Sequence, residues 1–84
     1  MSYVDELLSF GYRTPEATHV RSSDKFEGGV EARYESVPLS PDRPKVGALV
    51  LMTEAMYEDD PAAEELAAES MVTFLRSRQE RGTA

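Results

Sequence analysis

Residues 46–58 read VGALVLMTEAMYE, and the fold turns on whether they form a helix or a strand. Val46, Leu49, Val50, Thr53, Met56 and Tyr57 follow helical spacing. Ala48, Leu51, Met52 and Ala55 make the remaining sides apolar as well. The helix-forming TEAMYE end favours a helix over 46–58. The alternative makes VGALVLM a strand buried on both faces and paired with strands upstream. Downstream, Asp60-Pro61 supplies an N-cap and a proline at the first helical position. Ala63, Leu66, Ala67, Met71, Phe74, Leu75 and Arg78 then share one side of a helix expected at about 61–79. Its acids cluster early and Arg76, Arg78 and Arg81 late, as the macrodipole favours. Residues 80–84 are expected to fray.

Upstream, residues 37–45 (VPLSPDRPK) hold three prolines and read as an extended connector. Before them, Val30, Ala32 and Tyr34 alternate with Glu31, Arg33 and Glu35, the pattern of a half-buried strand. Its partner is expected around Thr18–Phe26. A three-residue loop, Glu27-Gly28-Gly29, sets Phe26 opposite Val30; a turn at Ser22–Lys25 is the other option. At the start, Ser2 and Asp5 resemble a capping box, and Gly11 is a natural stop. Those signals predict a two-turn helix at about 3–10, with Tyr3 and Phe10 helping it dock.

The fold class expected is α+β: a short N-terminal helix, a β-hairpin, then two C-terminal helices. The alternative is α-β-β-β-α, with residues 46–53 as a third antiparallel strand. Eighty-four residues make one domain, 1–84. A chain of this size buries about 60–65% of its unfolded surface, for a stability of roughly 4–12 kcal/mol. With no cysteine, neither disulfides nor thiolate metal sites can staple it.

Sixteen acids against nine bases give a net charge of −7. Residues 54 to 69 hold seven acids (Glu54, Glu58, Asp59, Asp60, Glu64, Glu65, Glu69) and no base, while the rest of the chain is balanced. That distribution argues against direct binding of nucleic acid or an anionic membrane, which are held by Lys and Arg. It suits a protein partner with a basic surface. The start of the chain lacks the basic, apolar pattern of a signal peptide, and no apolar run is long enough to span a bilayer. A cytoplasmic location is the expectation.

Signals for chemistry are weak. Were 46–58 and 61–79 paired helices, Glu54/Glu58 and Glu65/Glu69 at i,i+4 would offer four carboxylates to Mg²⁺ or Mn²⁺, a hydrolase reading. No basic residue stands nearby to grip a phosphate, so no metal, cofactor or catalytic residue is assigned. His19 is the only histidine, and no cysteine exists to complete a nucleophilic site. Gly28-Gly29 is a turn, not a phosphate loop. The bases Arg13, Arg21, Lys25 and Arg33 are interleaved with acids.

An element apolar on every side must be covered on every side, so a homodimer or partner groove is expected over 46–56. Methionines 52, 56 and 71 suit such a contact. Met52, Met56, Tyr57 and the seven acids are therefore the expected partner-binding residues of a non-enzymatic module. It would be a small inhibitor or regulator that occludes a basic surface, with nucleic-acid mimicry as its sharpest form. The competing expectation is a self-assembling structural subunit, for example virus- or phage-derived.

Overall fold

A computed structural model describes residues 2–57 and 60–82. Its elements are α1 (Tyr3–Ser9), β1 (Glu16–Ser22), β2 (Gly29–Ser36), β3 (Val46–Thr53), α2 (Glu54–Tyr57) and α3 (Pro61–Gly82). The α+β class is as expected, in the α-β-β-β-α form. The strands make an antiparallel meander in the order β1-β2-β3. No helix among the described residues is long and apolar enough to cross a membrane.

The helix expected over 46–58 is corrected: residues 46–53 are a strand, and only 54–57 turn helical. Tertiary pairing outweighs the local preference. A two-stranded hairpin is marginal in water, and β2 needs a neighbour on its second edge. β3 supplies it through eight registered pairs, from Gly29↔Thr53 to Ser36↔Val46. The strand also resolves the all-round apolarity. Val46, Val50 and Met52 go inward and Ala48 is half-buried, whereas Gly47, Leu49 and Leu51 lie on the outer face. A helix would have had to cover all of them.

The hairpin loop is longer than expected. Ser22 pairs with Val30, so the loop comprises Ser23–Gly28 and Phe26 lies inside it, not opposite Val30. Gly28 takes the left-handed conformation at φ 68°, and Ser23 N–H donates to Gly29 C=O at 2.9 Å. The Phe26 ring folds over Gly29, where a Cβ would stand 2.3 Å from it.

α1 ends in a Schellman motif. Gly11 sits at φ 92°, Gly11 N–H donates to Leu8 C=O at 2.9 Å and Tyr12 N–H to Leu7 C=O at 3.3 Å. Leu7 and Tyr12 are both buried, the apolar contact that accompanies this motif. At the other end Ser2 Oγ accepts Asp5 N–H at 3.2 Å, the expected cap. The connector is docked, not free: Arg13 N–H donates to Val37 C=O and Leu39 N–H to Gly11 C=O, and Tyr12 bridges Pro38.

α3 packs on β3 with α1 beside it, and α2 fills the corner against β2, β3 and α3. Small residues at helical spacing (Ala63, Ala67, Ala68) bring α3 close to the sheet, with Met71 and Val72 completing its buried face. Ser36 is fully buried and donates to Met71 Sδ at 3.0 Å. Phe74, expected inward, is half exposed, with Arg78 over its ring at 5.8 Å. α3 continues beyond the expected end at 79 to Gly82. The helical layer covers β2 and β3 only, so every residue of β1 is exposed.

Candidate functional site

The acidic end of the molecule is assembled where β3 gives way to helix. Thr53 Oγ1 accepts Met56 N–H at 3.2 Å and starts the single turn of α2, which carries Tyr57. Asp60 then caps α3 as its sequence implies: its Oδ1 accepts Ala62 N–H at 2.9 Å and its carbonyl accepts Ala63 N–H. Across from this corner lies the inner face of β2, where Tyr34 points toward the helices, and beyond it the uncovered start of β1.

Between them opens a cleft of about 660 Å³, lined by Pro15, Glu16, Ala17, Tyr34, Tyr57, Asp60, Pro61, Ala63 and Glu64. Its volume falls in the usual range for ligand sites. Three carboxylates and two tyrosines line it, and no base does. Tyr34 is only 3% exposed, and its hydroxyl has no hydrogen-bond partner among the described residues. Since no fully buried side-chain N or O atom among the described residues is left unsatisfied, the accessible sliver of Tyr34 includes that hydroxyl, on the wall of the cleft. Burial raises the Tyr34 phenol above its ordinary value, and Tyr57 and Glu64 raise it further. The cleft therefore disfavours additional negative charge.

Of the residues expected to bind a partner, Glu54, Glu64 and Glu69 are exposed, and Asp60, Met56 and Tyr57 are half-buried. Glu58 and Asp59 lie outside the described residues. Met52 is corrected: it is 2% exposed and part of the core, as is Met71. Strand alternation turns both Met52 and Val50 inward and leaves Leu49, at 62% exposure, as the outward apolar residue. Glu65 has an internal task, accepting the Tyr3 and Val4 N–H groups at 2.8 and 3.1 Å.

The paired-helix metal arrangement required a helix over 46–58, whereas 46–53 are a strand and only 54–57 turn helical. Among the described residues no group of three or more His, Asp or Glu side chains is placed to hold a metal ion. His19 is exposed on β1, its Nδ1 3.4 Å from Thr18 Oγ1. It shares a smaller cleft on the sheet with Val20, Arg21, Glu31, Arg33 and Leu49. There Arg21 pairs with Glu31 at 2.7 Å, so the bases are partly neutralised as the interleaving implies.

Sequence reasoning missed Tyr34 and the Pro15–Ala17 wall as cleft residues. Nothing local marks them: they meet Tyr57 and Glu64 only through sheet pairing and the α2–α3 corner. No family model, curated protein or solved structure matches the chain.

Proposed function

We propose that the chain is a non-enzymatic protein-interaction module, a small inhibitor or regulator that occludes a basic surface of a larger protein or assembly. One observation carries this reading. Glu54, Glu64 and Glu69 are exposed, and neither ion pair among the described residues, Arg21–Glu31 or Arg76–Glu6, involves them. Among the described residues their charge meets no paired base, which supports a contact outside the chain.

Such a patch steers a basic partner and fixes its orientation, while half-buried Met56 and Tyr57 at the same corner offer apolar contact. In the sharpest form the partner's basic surface is a nucleic-acid site, occupied by mimicry. The test is capture of partners from native lysate by the tagged chain at about 50 and about 300 mM salt, with mass identification. A basic protein retained at low salt, released at high salt and lost on Glu54→Lys, Glu64→Lys and Glu69→Lys together is the expected result. Capture indifferent to both salt and charge reversal overturns the proposal.

A second reading, a self-assembling structural subunit, draws on β3. It is an edge strand with no charged residue, and Leu49 and Leu51 are exposed on it. Such edges pair with like edges. This reading expects mass to rise with concentration, with little dependence on salt.

A further inference from the structure

We propose that the cleft between Tyr34, Tyr57, Glu16 and Glu64 receives an arginine side chain projecting from the partner protein. The inference rests on the reading of the acidic end as protein-binding, and it names what that end recognises. Two independent observations converge on it. The walls carry the carboxylates of Glu16, Asp60 and Glu64 with no base to balance them. At the floor, Tyr34 is 97% buried by the complement of its 3% exposure, yet its hydroxyl meets no partner among the described residues. A group that enters this cleft must bring donors, because the carboxylates lining it can only accept.

The placement of the acids selects among cations. They do not converge as a metal-holding group, so a metal ion or a compact ammonium would meet only part of the set. Guanidinium is planar, spreads five N–H donors over a fork, and stacks on aromatic faces. It can reach separated acceptors, here a carboxylate on one wall and the Tyr34 hydroxyl below, while lying against the Tyr57 ring. Asp60 contributes charge more than contact, since its Oδ1 already caps α3.

The test is an NMR titration of the whole chain with three blocked tripeptides, Gly-X-Gly, in which X is arginine, lysine or the neutral isostere citrulline. Expected are saturable shifts at Ala17, Tyr34, Tyr57 and Ala63 with the arginine peptide, and much weaker ones with the others. The Tyr34 phenol should titrate at lower pH when that peptide is bound, because a nearby cation favours the phenolate. Tyr34→Phe and Glu64→Gln should each weaken binding about threefold to tenfold, with Glu27→Gln, in the exposed β1–β2 loop and outside the cleft, unchanged. Equal binding of lysine or citrulline peptide overturns the assignment, as do shifts spread along all the acids of α3. If these fail while salt-sensitive, charge-dependent capture of a basic protein persists, the cleft assignment falls and the interaction module stands. If capture ignores charge reversal, the module reading itself falls.

Discussion

Glu65 of α3 reaches back to the other end of the chain and accepts the backbone N–H of Tyr3 at 2.8 Å, while its second oxygen accepts Val4 N–H at 3.1 Å. A seven-residue helix is far too short to persist alone. α1 persists because α3 supplies what its first turn lacks, acceptors and negative charge at the positive end of its dipole. Arg76 adds an ion pair to Glu6, and Arg43 closes the other end by donating to Phe10 C=O at 2.5 Å.

Glu65→Ala should therefore cost about 1–3 kcal/mol, because it leaves two part-buried N–H groups unpaired. Glu65→Gln should cost about 1 kcal/mol, since one carbonyl replaces two acceptors. Urea midpoints measure the loss, and amide exchange should place it in residues 3–9 and not in β2. Equal stability of both variants and the parent would mean that the carboxylate contributes nothing to α1.

Gly11 gives a second local test. At φ 92° it occupies a conformation that costs a side-chain-bearing residue roughly 1–2 kcal/mol. Gly11→Ala should lose about that much thermal or chemical stability. Gly47→Ala, where the added Cβ would stand 3.5 Å from the Tyr34 carbonyl, should stay within about 0.5 kcal/mol. Similar losses at the two positions would contradict the Schellman ending of α1.

The strand at 46–53 makes opposite predictions for neighbours in sequence. Leu49 is 62% exposed and Met52 is 2% exposed. Leu49→Lys should change stability by less than about 0.5 kcal/mol, whereas Met52→Ala should cost about 2–5 kcal/mol through lost transfer energy and a cavity. In an all-round buried helix both would be costly. The lysine substitution should also suppress any self-association through the β3 edge, read by sedimentation at rising concentration.

These positions show which parts of the chain declare themselves. Ser2, Asp5, Gly11 and Asp60-Pro61 act within one turn of their own backbone, so each was legible from spacing alone. Val30, Ala32 and Tyr34 alternate with charges and announce their strand. VGALVLM does not, because its outward positions are Gly47, Leu49 and Leu51, which erase the polar half of the alternation. What decides it is the unsatisfied second edge of β2, a property of the sheet. The site divides the same way. Its acids stand out by composition, but Tyr34, Glu16 and Tyr57 become neighbours only after three separate segments have docked. The internal use of Glu65 has no local signal at all, since its partners lie some sixty residues away.

Tyr34 provides a pH test of that docking. In the folded chain its phenol is raised, by burial first and then by Tyr57 and Glu64. In the unfolded chain it titrates near the ordinary value of about 10. Below that pH both states hold the proton and this group adds no slope. As pH rises past about 10 the unfolded chain releases the proton first, so it binds fewer protons than the folded chain and stability falls. Urea midpoints at about pH 8 and about pH 11 should therefore drop more for the parent than for Tyr34→Phe, which has no proton to release. Glu64→Gln should give an intermediate drop, because it removes one of the lesser causes and leaves burial in place. Identical drops in parent and Tyr34→Phe would mean that Tyr34 is not buried against the cleft as described, and a Glu64→Gln drop equal to the parent's would mean that the acidic wall does not act on it.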